Sequence, residues 1–287
     1  MAIAVVTGSS TGIGQASAVT LARAGHTVYA TMRNPEAGGG ELRAIAGKEN
    51  LPLRFAALDV DSDESVRRAF AGTLAEAGRV DVLVNNAGIG NAGPVEETPI
   101  EVFRAVMETN FFGALRCTQA VLPGMRERRA GCIVNVTSVA GRLSTSPQAP
   151  YSSSKFALEA LSECLAQEVK AFGIRVAIVE PGVIATPIFS KMEEAPESTR
   201  YPQLRRLNAL FRASLENPVS PYVVAEQIRE IVESGTWRLR HPVGPDAAGL
   251  LAWRASMTDE QWVDWWAQSD EAWVSSVRQV LRLDVKL

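Results

Sequence analysis

Histidine and cysteine are scarce in this chain of 287 residues, which has two of the first and three of the second. His26 and His241 have no second histidine or cysteine at a metal-ligand spacing, so no metal centre is expected. Cys117, Cys132 and Cys164 form no CxxC pair and leave an odd number, which argues against a disulfide framework and for buried free thiols. Charge of one sign is also missing: 29 Lys and Arg face 32 Asp and Glu, a net charge of -3. Such a balance has no basic surplus for nucleic-acid phosphates or an anionic membrane surface. No apolar run reaches the ~20 residues of a membrane helix, and MAIAVVTGSS lacks the charged start of a secretory signal. These absences predict a cytoplasmic protein with a small-molecule partner, without nucleic acid or membrane.

What is present points to one sizeable core, since 46% of residues are hydrophobic. Short apolar, β-branched runs alternate with helical or loop segments: IAVVTG, TVYAT, LRFAALDV, VDVLVNNAG, CIVNVTS and IRVAIVEPG. That alternation predicts an α/β fold with a doubly wound parallel sheet, helices covering both faces. Thr98, Pro99 and Glu101 read as a capping box, Ser220 and Pro221 as another helix start, and Gly25 and Gly235 as helix stops. From Val183 to Val219 the alternation gives way to Pro, Ser and mixed charge, which reads as an irregular lid. One domain is expected over residues 1–245, including this lid, with a helical extension over 246–287 that packs on it or on a partner subunit.

The first strand runs directly into Thr7-Gly8-Ser9-Ser10-Thr11-Gly12-Ile13-Gly14. Glycines allow a tight turn and close backbone approach there, and the following helix offers unpaired N–H groups to a pyrophosphate. Asn85-Asn86-Ala87-Gly88 ends the fourth run, and Asn110 lies in the next helical segment. Ser138 ends the fifth run, Tyr151-Ser152-Ser153-Ser154-Lys155 opens a helix, and Pro181-Gly182 with Thr186 follows the sixth. Taken in this order, the elements from Ala2 to Thr186 resemble the short-chain dehydrogenase/reductase family, in its simple branch near the steroid-, retinol- and carbonyl-reducing members. RHPVGPDA near Arg240 adds a weaker likeness.

Tyr151 and Lys155, at i and i+4, share a helix face. An unperturbed phenol titrates near ~10, and a cation at ~4 Å in an effective dielectric of ~20 contributes ~4 kcal/mol, enough to draw it toward neutrality. Tyr151 is thus a credible general acid and base, and Ser138 could donate to an oxygen gaining charge.

The resemblance implies a Rossmann fold and hydride transfer between a nicotinamide and a carbonyl or alcohol carbon. It gives Lys155 a contact to the nicotinamide ribose and Asn110 a proton-relaying water. Ile184 and Thr186 would grip the carboxamide, and Gly8, Ser10, Thr11, Gly12, Ile13, Gly14, Asn86, Ala87, Gly88, Pro181 and Gly182 would line the cofactor. Asp59 and Val60 would flank the adenine. NAD-preferring relatives carry an acid after the second strand, where this chain has Met32 followed by Arg33. That substitution favours NADP(H) over NAD(H). A homodimer or homotetramer is implied as well.

Gly8-Ser9-Ser10-Thr11-Gly12 also satisfies the GxSxG of a serine hydrolase, with Ser10 as nucleophile, but His26 and His241 are the only available bases. His26 is expected at the surface. Trp253, Trp262, Trp265, Trp266 and Trp273 read as a packing cluster, the last four near one face of a continuous helix, with a roof over the substrate as the sharper alternative. Ile184, Ile188, Phe189, Met192, Leu204, Leu207, Leu210 and Phe211 make the expected lid apolar, pointing to an apolar substrate.

Overall fold

The computed structural model describes residues 1–189, 196 and 198–287. Six apolar runs become the strands β1 (Ile3–Val6), β2 (Thr27–Met32), β3 (Leu53–Ala57), β4 (Val82–Asn85), β5 (Gly131–Val136) and β6 (Ile174–Pro181). A seventh, β7 (Arg240–Val243), lies in the RHPV segment that did not read as a strand. It contains Pro242, which a sheet tolerates at its edge, and β7 is an edge strand.

All pairings are parallel, in the order β3-β2-β1-β4-β5-β6-β7. The chain therefore reverses its direction of growth between β1 and β4. In such sheets the crevice beyond the carboxyl ends of these two strands is the ligand site.

Helices cover both faces. α1 (Gly12–Arg23), α2 (Pro35–Gly38), α3 (Gly40–Glu49) and α4 (Asp63–Ala77) connect the first four strands. α5 (Ile100–Met107), a π-helical turn over Glu108–Phe112 and α6 (Gly113–Arg128) lead to β5, and α7 (Ala149–Val169) leads to β6. α8 (Gln203–Leu215) and α9 (Tyr222–Ser234) precede β7, and α10 (Ala247–Ala255), α11 (Asp259–Ala267) and α12 (Asp270–Val280) follow it. Along β1, Ala4 and Val6 pack with Val19 and Leu21 of α1 and Ile228 of α9. Val5 between them packs on the other face with Phe70 of α4, Met125 of α6 and Leu165 of α7. Alternate residues thus meet two different helix layers, which is why the central strands are largely apolar on both faces. The doubly wound Rossmann architecture expected from sequence is present as a single domain with C-terminal helices.

Several local expectations are corrected. The segment 183–219 is not irregular throughout, because it contains the 13-residue helix α8. Its Leu204, Leu207, Leu210 and Phe211 sit at helical spacing, and Leu204 and Leu207 are buried. Met192 lies outside the described residues. The tryptophans are spread over α10, α11 and α12 rather than one helix. No capping box forms at α5, since the Thr98 hydroxyl donates to Pro94 O at 2.7 Å, whereas Gly25 and Gly235 do end helices at positive φ. Cys164 is exposed while Cys117 and Cys132 are buried. His26 is buried, its Nδ1 accepting the Ala2 N–H at 3.1 Å. Among the described residues no helix is long and apolar enough to cross a membrane.

Candidate functional site

The glycine turn is held from below by the side chains of buried Thr7 and half-buried Asn86. The buried Thr7 hydroxyl accepts the N–H groups of Asn86 at 2.9 Å and Ala87 at 3.0 Å, tying the end of β1 to the end of β4. Asn86 returns the contact, its Nδ2 donating to Thr7 O at 2.9 Å and Gly8 O at 3.3 Å. Glycine is required by this closeness. A Cβ on Gly14 would lie 2.3 Å from Gly8 O and 2.4 Å from Asn86 Nδ2, and one on Gly8 would lie 2.8 Å from Ala87 Cα. Gly12, at φ +59°, faces Thr186, whose Cβ is 3.3 Å from where its own Cβ would stand. The turn, the Asn86-Ala87-Gly88 segment and the loop after β6 therefore converge.

Ser9 is fully buried and donates to Val6 O at 2.8 Å, whereas Ser10 and Thr11 remain accessible. Thr11 is the N-cap of α1 but its side chain makes no capping bond, so the first N–H groups of the helix stay open to an anion. Here a pyrophosphate fits the residues present. At the end of β2 stand Met32, buried, and Arg33, exposed and without an ion pair among the described residues. A Cβ on Gly38 would touch both Ser10 Cβ, at 3.4 Å, and Met32 Sδ, at 3.6 Å, so this corner adjoins the glycine turn. Asp59 accepts the Asp61 N–H at 3.2 Å, and the buried Val60 packs against Gly113.

Ser138, Tyr151, Lys155 and Asn110 come together where β5 and α7 meet the π-helical turn. Asn110 is buried inside that turn. Its Oδ1 accepts the Ile89 N–H at 2.8 Å, while its Nδ2 donates to Ile89 O at 3.0 Å and Ser154 Oγ at 2.9 Å. Its side chain is thus used to join the loop after β4 to α7, and π-helical turns are often found where function demands such a displaced residue. Ser138 receives the Ala140 N–H at 3.1 Å and donates to Pro181 O at 3.4 Å. Lys155 is buried and donates to Val136 O at 3.0 Å, with its Nζ 5.6 Å from the Tyr151 ring centroid.

The electrostatics correct the expectation that Lys155 draws the phenol down. Burial pushes the Tyr151 hydroxyl above its ordinary range, its hydrogen bond with Ser138 pulling the other way. Burial also brings Lys155 down to about 8, against the nearby negative charge of Glu159. Tyr151 accordingly holds its proton at neutral pH. The ammonium is engaged by Val136 O, and desolvation is the larger influence on the phenol.

Sequence reasoning missed the acidic layer behind Lys155. Glu159, one turn further along α7, accepts from Thr137 Oγ1 at 2.7 Å and Arg240 Nε at 3.1 Å. Glu180, nearly inaccessible in β6, pairs with Arg142 at 3.3 Å and Arg240 at 3.8 Å. Burial raises both carboxyls and the arginines oppose it. Only Glu159 had a visible signal, its i+4 spacing from Lys155.

The far wall is made by α8 and α10–α12. Val139 and Leu143, just after Ser138, pack with Leu207 of α8 and with Trp262, Trp265, Trp266 and Trp273. Trp262 Nε1 donates to Ser144 O at 2.8 Å, a bond across 118 positions. Arg206 of α8 is buried and donates to Trp266 O at 3.0 Å, Gln268 O at 2.7 Å and Asp270 Oδ1 at 2.8 Å. In front, Glu97 accepts from Thr199 Oγ1 at 2.7 Å and the Arg200 N–H at 3.1 Å, and Tyr201 donates to Glu96. The hydrolase alternative fails on topology. His26 precedes β2 and so lies at the amino ends of the parallel strands, whereas Ser10 lies beyond their carboxyl ends, and His241 in β7 contacts Arg238 O at 2.9 Å.

A sequence profile for short chain dehydrogenases matches residues 2–197. The chain is 42% identical over 255 residues to a 3-ketodihydrosphingosine reductase of Bacteroides thetaiotaomicron, covering 87% of this chain and 90% of that one. Among solved structures, a short-chain dehydrogenase from Streptomyces avermitilis superposes with a TM-score of 0.77 at 37% identity, covering 98% of this chain and 97% of the other. An actinorhodin polyketide ketoreductase variant with NADPH superposes with a TM-score of 0.73 at 30% identity, covering 86% and 97%. With the glycine turn, the switch-point crevice and the convergence of Ser138, Tyr151 and Lys155 already in place, these matches make the chain a member of the short-chain dehydrogenase/reductase family, an oxidoreductase acting on CH–OH groups.

Proposed function

We propose that this enzyme interconverts a carbonyl and an alcohol on an apolar substrate, using NADP(H) in preference to NAD(H). The observation that carries the reading is the meeting of Ser138, Tyr151 and buried Lys155 beside a cradle that closes on Gly12 and Thr186. When bound, the nicotinamide supplies or accepts the hydride.

The residues divide the remaining work. Ser138 donates to the substrate oxygen as negative charge grows on it. Tyr151, kept protonated by burial, gives that oxygen its proton in reduction and must take one back in oxidation. Lys155 serves the ribose, and Asn110 holds the α7 helix and the Gly88–Ile89 loop in register for the proton path. Gly8, Ser10, Thr11, Ile13 and Gly14 bind the pyrophosphate end with Asn86, Ala87 and Gly88, Asp59 and Val60 flank the adenine, and Pro181, Gly182, Ile184 and Thr186 hold the carboxamide end. Arg33, exposed and unpaired among the described residues, clasps the 2′-phosphate. An apolar substrate is supported by Phe189 stacked edge-on against Phe211 at 5.1 Å and by Ile188 beside Gly90. The 3-ketodihydrosphingosine reductase, a relative with a lipid in its name, points the same way.

The test is NADPH oxidation with a panel of apolar ketones, followed by Tyr151→Phe. Losing the transferable proton should cost at least ~100-fold in single-turnover rate while leaving NADPH affinity nearly intact. A Tyr151→Phe enzyme with a near-normal rate defeats the mechanism.

A further inference from the structure

Asp246 stands at the N-cap of α10, yet its side chain makes no capping bond there. An aspartate in that place ordinarily accepts from the second or third N–H of its own helix. Here the carboxylate is turned the other way, and Oδ2 accepts the Val183 N–H at 2.9 Å, 63 positions back in sequence. The preceding amide is pinned from the same side, Gly182 N–H donating to Val243 O at 2.9 Å.

The contact is closer than a hydrogen bond alone requires. A Cβ on Gly182 would lie 2.0 Å from Asp246 Oδ1, 2.4 Å from Cγ and 2.5 Å from Oδ2, so the carboxylate lies against the glycine's Cα. Gly244, at φ +108°, makes the tight return that brings Asp246 there, and its own Cβ would meet Oδ1 at 3.1 Å and Ile184 Cδ1 at 3.5 Å. Oδ1 is buried and has no hydrogen-bond partner among the described residues. An acceptor left in that state is unfavourable, and the arrangement persists because two glycines and the β7–α10 turn hold it.

We infer that Asp246 is a positioning residue for the nicotinamide end of the site: by holding Gly182 and Val183 it sets the loop that presents Ile184 and Thr186. The inference rests on the carboxamide role proposed for those two residues. It gives Gly182 a cause other than cofactor contact, and it makes β7 and α10 part of the binding machinery although neither enters the glycine cradle. Asp246 touches no reacting atom in this account. It removes the freedom of a loop before the cofactor arrives, which is how preorganisation raises affinity.

The experiment measures Asp246→Ala and Asp246→Asn in the full chain. NADPH affinity is read by fluorescence titration, adenosine 2′,5′-bisphosphate affinity serves as a control for the adenosine end, and amide hydrogen exchange is followed over residues 182–186. Asp246→Ala should weaken NADPH by about tenfold, the scale of one well-placed hydrogen bond. It should leave the bisphosphate within about twofold, and speed exchange at Val183. Asp246→Asn, which keeps an oxygen for the Val183 N–H, should restore most of the NADPH affinity. Unchanged NADPH binding by Asp246→Ala, or equal loss of both ligands, overturns the inference. Wild-type protein supplies a reading independent of any variant: Val183 must be protected before cofactor is added, and open-loop exchange there also overturns it. Failure of wild type to bind NADPH at all would instead sink the cofactor reading, and this inference with it.

Discussion

On the β1–β4 side of the crevice the wall is backbone: glycines packed against carbonyls, with Thr7 and Asn86 bonding main-chain groups at 2.9–3.3 Å. On the side of α8 and α10–α12 the wall is side chain. Five tryptophans touch in sequence, with ring centroids 5.0 to 6.0 Å apart, and the indole N–H groups of Trp265, Trp266 and Trp273 are buried without partners among the described residues. The first wall depends on atoms every sequence has and on what glycine omits. The second depends on which large side chains meet, and it accepts unpaired polar atoms in exchange for dry aromatic area. A wall of the first kind can hold a ligand common to many relatives, while one of the second kind can vary with the substrate.

The strongest test of that division is Trp273→Ala. Trp273 is fully buried, and truncating such a residue costs ~3–5 kcal/mol. Denaturant unfolding should show that loss while NADPH affinity measured under folding conditions stays within about twofold. A parallel loss of affinity would show that the two walls are one unit.

Gly14→Ala strikes the other wall. Backbone and Asn86 atoms stand at 2.3 and 2.4 Å from the new methyl carbon, so the cost belongs at the top of the ~1–3 kcal/mol typical of overpacking. Titration should find NADPH binding lost even where the variant remains folded. Retention of full affinity would mean that the turn relaxes more freely than its contacts allow.

Arg33→Ala separates charge from shape within the backbone wall. Removing the guanidinium should cost NADPH ~1.5–3 kcal/mol, the scale of a hydrogen bond to a charged group, and hardly alter NADH. Comparison of kcat/KM for the two cofactors decides it, and an unchanged preference moves the phosphate contact elsewhere.

The smallest effect is on pH. Lys155 titrates at about 8, so its ammonium is intact below that value and lost above it. Tyr151, raised above its ordinary range, stays protonated throughout that interval. Reduction should therefore fall as pH rises through about 8. Glu159→Gln removes the negative charge that holds Lys155 up, so the falling limb should move to lower pH. A pH–rate profile in which it stays put, or moves upward, contradicts the assignment.

Six strands were legible because each is a short, mainly apolar run, β-branched and buried on both faces in all but the edge strand β3, and the cradle was legible because its chemistry is local: strand, glycines, helix start. β7 was hidden by Pro242, which only an edge position permits. α8 was written in the spacing of Leu204, Leu207, Leu210 and Phe211, but that Leu207, Leu210 and Phe211 join the tryptophan cluster is decided by segments far away in sequence. The same limit applied to Tyr151. Spacing places Lys155 on its face of the helix, but burial and the bond to Val136 O decide the proton.

The sequence by itself determined the parallel α/β sheet, the glycine turn and the identity of the groups that can carry a proton, because these follow from periodicity, from the absence of a Cβ and from side-chain chemistry within a few residues. Only the tertiary structure decided that Gly182 must be glycine because Asp246 lies against it, and that Glu159 and Glu180 stand behind Lys155. It alone showed that Trp262 reaches Ser144 from 118 positions away. Each of those depends on distant segments meeting at contact range, where burial and closeness, rather than residue type, set the energy.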